Sequence, residues 1–369
     1  MKKPGPPTFP PQSVDIDDQA IGVLFEQVRS LVQRARRRAV TTVNSLQVIT
    51  NFEIGRMIIE HEQQGTDRAE YGKMVLKALS ERLTVEFGRG FSEDNLSNMR
   101  KFYLVYKDRL TGISEKASRK SPPGAITTPT LSWSHYVFLC RISGEDERRF
   151  YEIESFENNW SLPELKRQFD SGLYERLALS RDKDEVRRLA KEGQIIKEPR
   201  DLLKEPYVLE FLGLDEKAKY TESDLETAII DKLEKFLLEL GKGFLFEARQ
   251  KRFTFDEDHF FVDLVFYNRL LRCYVLIDLK IGKLTHQDLG QMQMYVNYFD
   301  RYVKQPAEQS TIGIILCKKK RDAMVELTLP KDAGIHAREY QLYLPSNEDL
   351  KKRLMEWAEA AVQNKSGGR

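Results

Sequence analysis

Two neighbouring apolar segments carry three charges where strands seldom tolerate any. The first is Phe261-Val-Asp263-Leu-Val-Phe-Tyr and the second is Tyr274-Val-Leu-Ile-Asp278-Leu-Lys280. Asp and Lys are depleted in strands and are rarely buried unless paired or bound to metal. Side chains alternate faces along a strand, so Asp278 and Lys280 share a face. The short link from Asn268 to Arg272 makes the two segments an antiparallel hairpin. A turn at Asn268-Arg269 sets Asp263 opposite Tyr274. A turn at Leu270-Leu271 sets it opposite Asp278. Both registers gather the charges on one face, but only the second, or a bulge, lets two carboxylates share a cation. The simpler alternative is an Asp–Lys ion pair, which leaves one carboxylate spare.

At 369 residues the chain is long enough for two domains. It is 41% hydrophobic and 31% charged, the balance of a soluble globular protein without a membrane span. A net charge of +2 leaves nucleic-acid binding to local basic faces. Cys140, Cys273 and Cys317 form no CxxC pair and lie in apolar runs. They are expected as buried free thiols in a cytoplasmic, reducing setting.

Along the chain the pattern is helical first and mixed α/β afterwards. We expect a disordered tail over 1–16, a helical domain over 17–180 and a charged linker over 181–204. An α/β domain over 205–345 and a C-terminal helix with its tail over 346–369 complete the division. One helix is expected from Ile21 through Gln47, with a break at Thr41-Thr42, and a second ending before Gly65. The helix through Met74 to Leu83, the turn at Gly88-Arg89-Gly90 and the helix capped by Ser92 have a helix-turn-helix layout. Its second helix offers Asn95, Asn98 and Lys101 to bases and phosphates, although an ordinary helical hairpin would leave the same residues wet. A polar loop is expected over Ser114–Thr130. Ser161 and Glu164 make a capping box, with Trp160 and Leu165 as its hydrophobic staple.

In the second half the expected elements are a helix over Ser223–Leu240 and strands at Phe244–Ala248, Phe260–Tyr267 and Cys273–Leu279. A helix over Gln287–Tyr302, strands at Ile312–Cys317 and Glu339–Leu344, and a last helix from Ser346 to Val362 follow. Glu226 sits on the apolar stripe of its helix, either with a partner or as the far half of a Ser223 capping box. Gln291 and Tyr295 lie one turn apart after Lys280.

This order of elements and acidic residues resembles the PD-(D/E)xK nuclease core, an αβββαβ fold. The chain from Leu31 to Pro345 resembles the bacterial YhcG-like family, a helical N-terminal domain joined to such a nuclease. The likeness rests on Glu53-Ile-Gly-Arg-Met-Ile-Ile-Glu60, Gly90-Phe-Ser-Glu-Asp-Asn-Leu96, Leu131-Ser-Trp-Ser-His-Tyr136, Asp263-Leu-Val-Phe-Tyr267, Leu279-Lys-Ile-Gly282 and Gly313-Ile-Ile-Leu-Cys317, among others. The resemblance implies a catalytic set of Glu226, Asp263, Asp278, Lys280 and Gln291. It also implies Mg²⁺ or Mn²⁺ held by Asp263, Asp278, the Leu279 carbonyl and Glu226. Asp278 stands where the family usually has glutamate. The expected function is a metal-dependent DNA endonuclease targeted by its N-terminal domain, with a homodimer as an option for cutting two strands. Arg249, Lys251 and Arg252 are candidate phosphate contacts. The alternative is a catalytically inactive nuclease fold acting as a DNA-binding or assembly protein.

Overall fold

A computed structural model describes residues 18–64, 69–110, 129–179, 181, 183–214, 219–255, 257–330, 333–346, 348, 350 and 352. The chain divides into two compact units at Val137/Phe138. The expected tail over 1–16, most of the loop over 114–130 and most of the C-terminal helix lie outside the described residues.

The first unit is helical. Helix α1 (Asp18–Gln64) runs unbroken through Thr41-Thr42, where a break was expected. Two β-branched residues lower helix propensity only slightly, and no Gly or Pro stands there to stop the helix. Helices α2 (Ala69–Phe87) and α3 (Glu93–Leu110) flank the Gly88–Ser92 turn, an arrangement common to the helix-turn-helix and the ordinary helical hairpin. Gly88 and Gly90 take positive φ there, which glycine adopts at no steric cost. Leu96 and Met99 of α3 pack with Ile58 and Leu76. Helix α4 (Trp133–Leu139) spans the division between the units.

The second unit begins with helices α5 (Glu145–Glu157), α6 (Leu162–Asp170), α7 (Leu173–Leu179) and α8 (Lys183–Glu192). The capping box is present at α6, where Glu164 accepts from the Ser161 N–H at 2.6 Å. Strand β1 (Tyr207–Val208) precedes helices α9 (Glu222–Asp231) and α10 (Leu233–Leu240). Then come strands β2 (Phe244–Phe255), β3 (Asp258–Asn268) and β4 (Cys273–Lys283). Helix α11 (His286–Tyr298), strand β5 (Ile312–Lys319), helix α12 (Asp322–Thr328) and strand β6 (Ile335–Gln341) complete the unit. The single helix expected over Ser223–Leu240 is thus two, parted at Lys232.

The six strands form one sheet in the order β1-β6-β5-β4-β3-β2. It is antiparallel across β2, β3 and β4 and parallel from β4 through β5 and β6 to β1. One face packs Leu264, Phe266, Ile277 and Leu279 against Leu225, Ile229 and Phe236 of α9 and α10. The other packs Val265, Leu276 and Ile315 against Leu289, Met292 and Tyr295 of α11. Central strands buried on both faces read as continuous apolar runs, so any charge in them stands out.

The helices before the sheet are tied to it through buried charge. Glu239 and Arg176 are both fully buried and ion-paired at 2.5 Å. Glu239 also accepts from Arg167 at 2.8 Å and from the Val208 N–H at 3.0 Å. Lys204 donates to the Glu239 carbonyl. Helices α5 to α8 therefore belong to the second unit, and its first residue lies well before the linker expected over 181–204.

Candidate active site

The β3–β4 register pairs Asn268 with Cys273 and ends at Leu264 with Ile277. Carried one step further, this register sets Asp263 opposite Asp278, the arrangement the turn at Leu270-Leu271 required. At that step the strands part. The Asp263 carboxylate fills the gap, its Oδ2 accepting the Leu279 N–H at 2.8 Å. On its other side the β2–β3 pairing runs Arg249 with Leu264 and Lys251 with Val262, skipping Gln250 and Asp263. The site thus sits where a strand has lost its ladder on both edges.

Asp263, Asp278 and Lys280 share the parity of Val265 and Leu276, and so face the α11 side of the sheet. Asp278 is 2% exposed, and its Oδ2 lies 2.8 Å from the Lys280 ammonium. Burial and the neighbouring Asp263 charge push Asp278 up to about 7, against the pull of Lys280. Burial raises Asp263 as well, with Glu226 adding to it and the Leu279 amide opposing. Burial disfavours the Lys280 ammonium, but Asp278 outweighs it and holds the group above its ordinary value. Two carboxylates and one ammonium thus crowd together, each carboxylate raised by burial and by a neighbouring acidic charge.

Glu226 is 3% exposed and takes hydrogen bonds from Arg249 Nε and Gln250 Nε2. The capping box expected for it is formed instead by Thr221 and Asp224, two residues earlier. Glu226 is thus spare for the site. Gln250 was not singled out from the sequence. Its Nε2 also donates to Asp263 Oδ1 at 3.1 Å, and its backbone is left-handed, φ +46°. Glu222, also unforeseen, lies 3.8 Å from the Lys280 ammonium and accepts from the Ile281 N–H at 3.4 Å. On α11, Gln291 donates to the Tyr295 hydroxyl. Burial raises the Tyr295 pKa, and the Asp278 and Asp263 charges raise it further.

The expected nucleic-acid contacts divide. Arg249 turns to Glu226 and to the Thr227 hydroxyl at 3.0 Å. Lys251 and Arg252 are exposed on β2, the first beside Glu247 at 3.4 Å and the second beside His259 at 2.9 Å. In the first unit, the Asn95 carboxamide is engaged within the fold. It donates to the Gly90 carbonyl at 2.5 Å and accepts from Trp133 Nε1 at 2.8 Å. Asn98 is half-buried and Lys101 is exposed.

Among the described residues no three acidic, His or Cys side chains form a ready-made metal cluster. The fit to a hard divalent cation is narrower. Mg²⁺ keeps several waters and takes one or two protein carboxylates. Asp263 and Asp278 supply that number, with Asp278 Oδ2 paired to the Lys280 ammonium.

Residues 200–355 match the family model described as the YhcG PDDEXK nuclease domain, and residues 27–176 match the DUF1016 N-terminal domain. The chain is 39% identical over 353 residues to the YhcG protein of Escherichia coli (strain K12), covering 90% of this chain and 93% of that one. Two solved structures share about a third of the chain. A repair endonuclease from Pyrococcus abyssi is 22% identical, with 35% of this chain and 50% of that chain covered and a TM-score of 0.24. An EndoMS–dsDNA complex is 18% identical, with 35% and 48% covered and a TM-score of 0.25. Likeness at that level carries no argument about substrate.

Proposed function

The chain belongs to the YhcG family, its second unit being a nuclease domain of the PDDEXK type, and on that premise we propose a divalent-metal-dependent DNA endonuclease. Mg²⁺ or Mn²⁺ is the ion, and the helical N-terminal unit is the targeting module. The observation that carries this reading is the Asp263–Asp278 juxtaposition where β3 and β4 part, with Lys280 at 2.8 Å.

Asp263, Asp278 and the Leu279 carbonyl would hold the ion, with Glu226 acting directly or through water. When bound, the ion lowers the pKa of a water and neutralises phosphate charge. Lys280 points its ammonium into the same space, orients the attacking water and offsets negative charge that builds on the phosphoryl oxygens. Gln291, held by Tyr295, donates from the α11 side. Gln250 keeps Glu226 and Asp263 side by side, since one carboxamide bonds both. Exposed Lys251 and Arg252 on β2 supply cations for the phosphate backbone.

Plasmid cleavage with Mg²⁺ or Mn²⁺ tests the assignment. Wild type should nick or cut, and Asp263→Ala and Lys280→Ala should each lose about a hundredfold or more, in the range seen when a transition-state charge partner is removed. Equal activity in all three would remove the assigned site. The short arm of Asp278 and the Gln250 amide between Glu226 and Asp263 favour one second reading, an inactive fold that only binds DNA. No Asp263-dependent uptake of Mn²⁺ would select it.

A further inference from the structure

A groove of about 330 Å³ lies between α11, the turn that follows it and the end of β2. Its wall is aromatic. Phe253 stacks on Tyr298 with ring centroids 4.0 Å apart and planes 20° from parallel, and Tyr302 leans on Tyr298 at 5.2 Å. Tyr302 is 64% exposed, so its ring is open to an occupant of the groove. Its floor is polar. Gln293 donates to Asn297 at 3.1 Å, an i,i+4 pair that leaves a carbonyl oxygen on Gln293 and an N–H on Asn297 facing outward from the bond. Arg301, exposed, adds a cation. Arg301 and Tyr302 ride on a π-helical turn over Phe299–Val303, a helical irregularity common at functional sites.

The wall of the groove reaches the Gln291–Tyr295 pair through two packed contacts. Phe253 meets Tyr295 edge-on at 5.5 Å, and Tyr295 is the partner of Gln291. An occupant of the groove would therefore sit one ring layer from the Gln291–Tyr295 pair. A flat ring face, a paired donor and acceptor and a nearby guanidinium match a nucleobase with its attached phosphate. A base stacked inside a duplex presents no free face to such a wall. We propose that this groove is a subsite for an unstacked nucleobase of the substrate strand, so that the preferred substrate carries unpaired nucleotides beside the cut. The proposal deepens the nuclease reading and rests on it.

Full-length wild type, Tyr302→Ala and Asn297→Ala are compared in EDTA for binding to a blunt duplex and to the same duplex carrying a single-stranded gap. Anisotropy gives affinity, and quenching of 2-aminopurine in the gap reports stacking. Tyr302→Ala should weaken gap binding about tenfold, the worth of one base–aromatic stack, and abolish the quench while blunt-duplex affinity holds. Asn297→Ala should weaken gap binding severalfold by the loss of its hydrogen bond. Equal loss on both substrates, or none on either, would overturn the subsite. If wild type cleaves with Mg²⁺ but shows no selective loss, only the subsite fails. If the selective loss appears without cleavage by wild type, only the hydrolase fails. Failure of wild type to bind either DNA overturns both.

Discussion

Burial and the Asp263 charge raise the pKa of Asp278, and this fixes the sign of the pH response. An aspartate ordinarily titrates near 3.9. Burial and Asp263 push this one up to about 7. Between about pH 4 and pH 7 the folded chain keeps a proton the unfolded chain has released, so the contribution of this group to stability falls as pH rises across that window. Cation binding then releases the proton, and affinity should drop about tenfold per unit as pH falls below about 7, levelling off above it. Mn²⁺ titration calorimetry from about pH 5 to about pH 8, in two buffers of different ionisation enthalpy, measures both the slope and the proton count. Asp278→Asn should flatten the slope, and a flat wild-type profile would refute the assignment. Asp263, Asp278, Lys280 and Glu226 were legible in the sequence because charge on an apolar stripe has to have a reason. Gln250 was not. An uncharged amide on an edge strand breaks no rule of composition, and its reach to two carboxylates comes from a left-handed backbone and a skipped ladder pair. The capping role expected of Ser223 and Glu226 failed for a related reason, since Thr221 with Asp224 fits the same pattern two residues earlier.

Helices and strands were readable where their period was strong, and their ends were not. The antiparallel β2–β3–β4 core and α11 appear where alternation and amphipathy placed them. Strand β1, only two residues long, has no period to detect, and α12 carries no buried residue to mark an apolar stripe. The unbroken α1 was missed because its register depends on what it packs against. At Gly55 a Cβ would lie 2.2 Å from the Met99 carbonyl oxygen of α3, a backbone atom that cannot swing aside. Gly55→Ala raises local helix propensity by about 1 kcal/mol. It should nevertheless destabilise the helical unit by about 1–3 kcal/mol, because overpacking of two helix backbones outweighs propensity. Thermal unfolding followed by circular dichroism checks the sign. A stabilised Gly55→Ala would mean that α1 and α3 are not pressed together. A parallel case lies under the active site, where a Cβ at Gly313 would meet Met292 at 2.7 Å and Val296 at 3.0 Å. Gly313→Ala should therefore shift α11, and with it Gln291, and cut cleavage more than it cuts stability. Met292 is a flexible side chain, so the stability loss should stay near the low end, about 1 kcal/mol.

The division of the whole chain follows buried charge rather than local composition. Arg181 to Arg200 is dense in charge and poor in apolar residues, which in sequence marks a linker. In the structure it contains α8, whose Leu189 and Ala190 are buried, and it lies inside the second unit. The N-terminal family match, residues 27–176, likewise crosses the division at Val137/Phe138 and contributes α5 and α6 to the nuclease unit. What binds those helices to the sheet is Glu239, fully buried, gripped by Arg176 and Arg167. Removing one partner of such a set strands the rest without water, at a cost of about 3–5 kcal/mol. Glu239→Ala should lose about that much in urea unfolding, although Glu239 is not among the residues proposed for the site. The same logic separates two fragments. Residues 140–369 retain Arg167, Arg176 and Glu239 together and should unfold cooperatively and still cut plasmid DNA, with the selectivity of the N-terminal unit lost. Residues 181–369 retain Glu239 and Lys204 but lack both arginines and should aggregate or unfold at far lower urea. Equal stability of the two fragments would place the working boundary at the charged segment and reduce the Arg176–Glu239 pair to a contact the nuclease can do without.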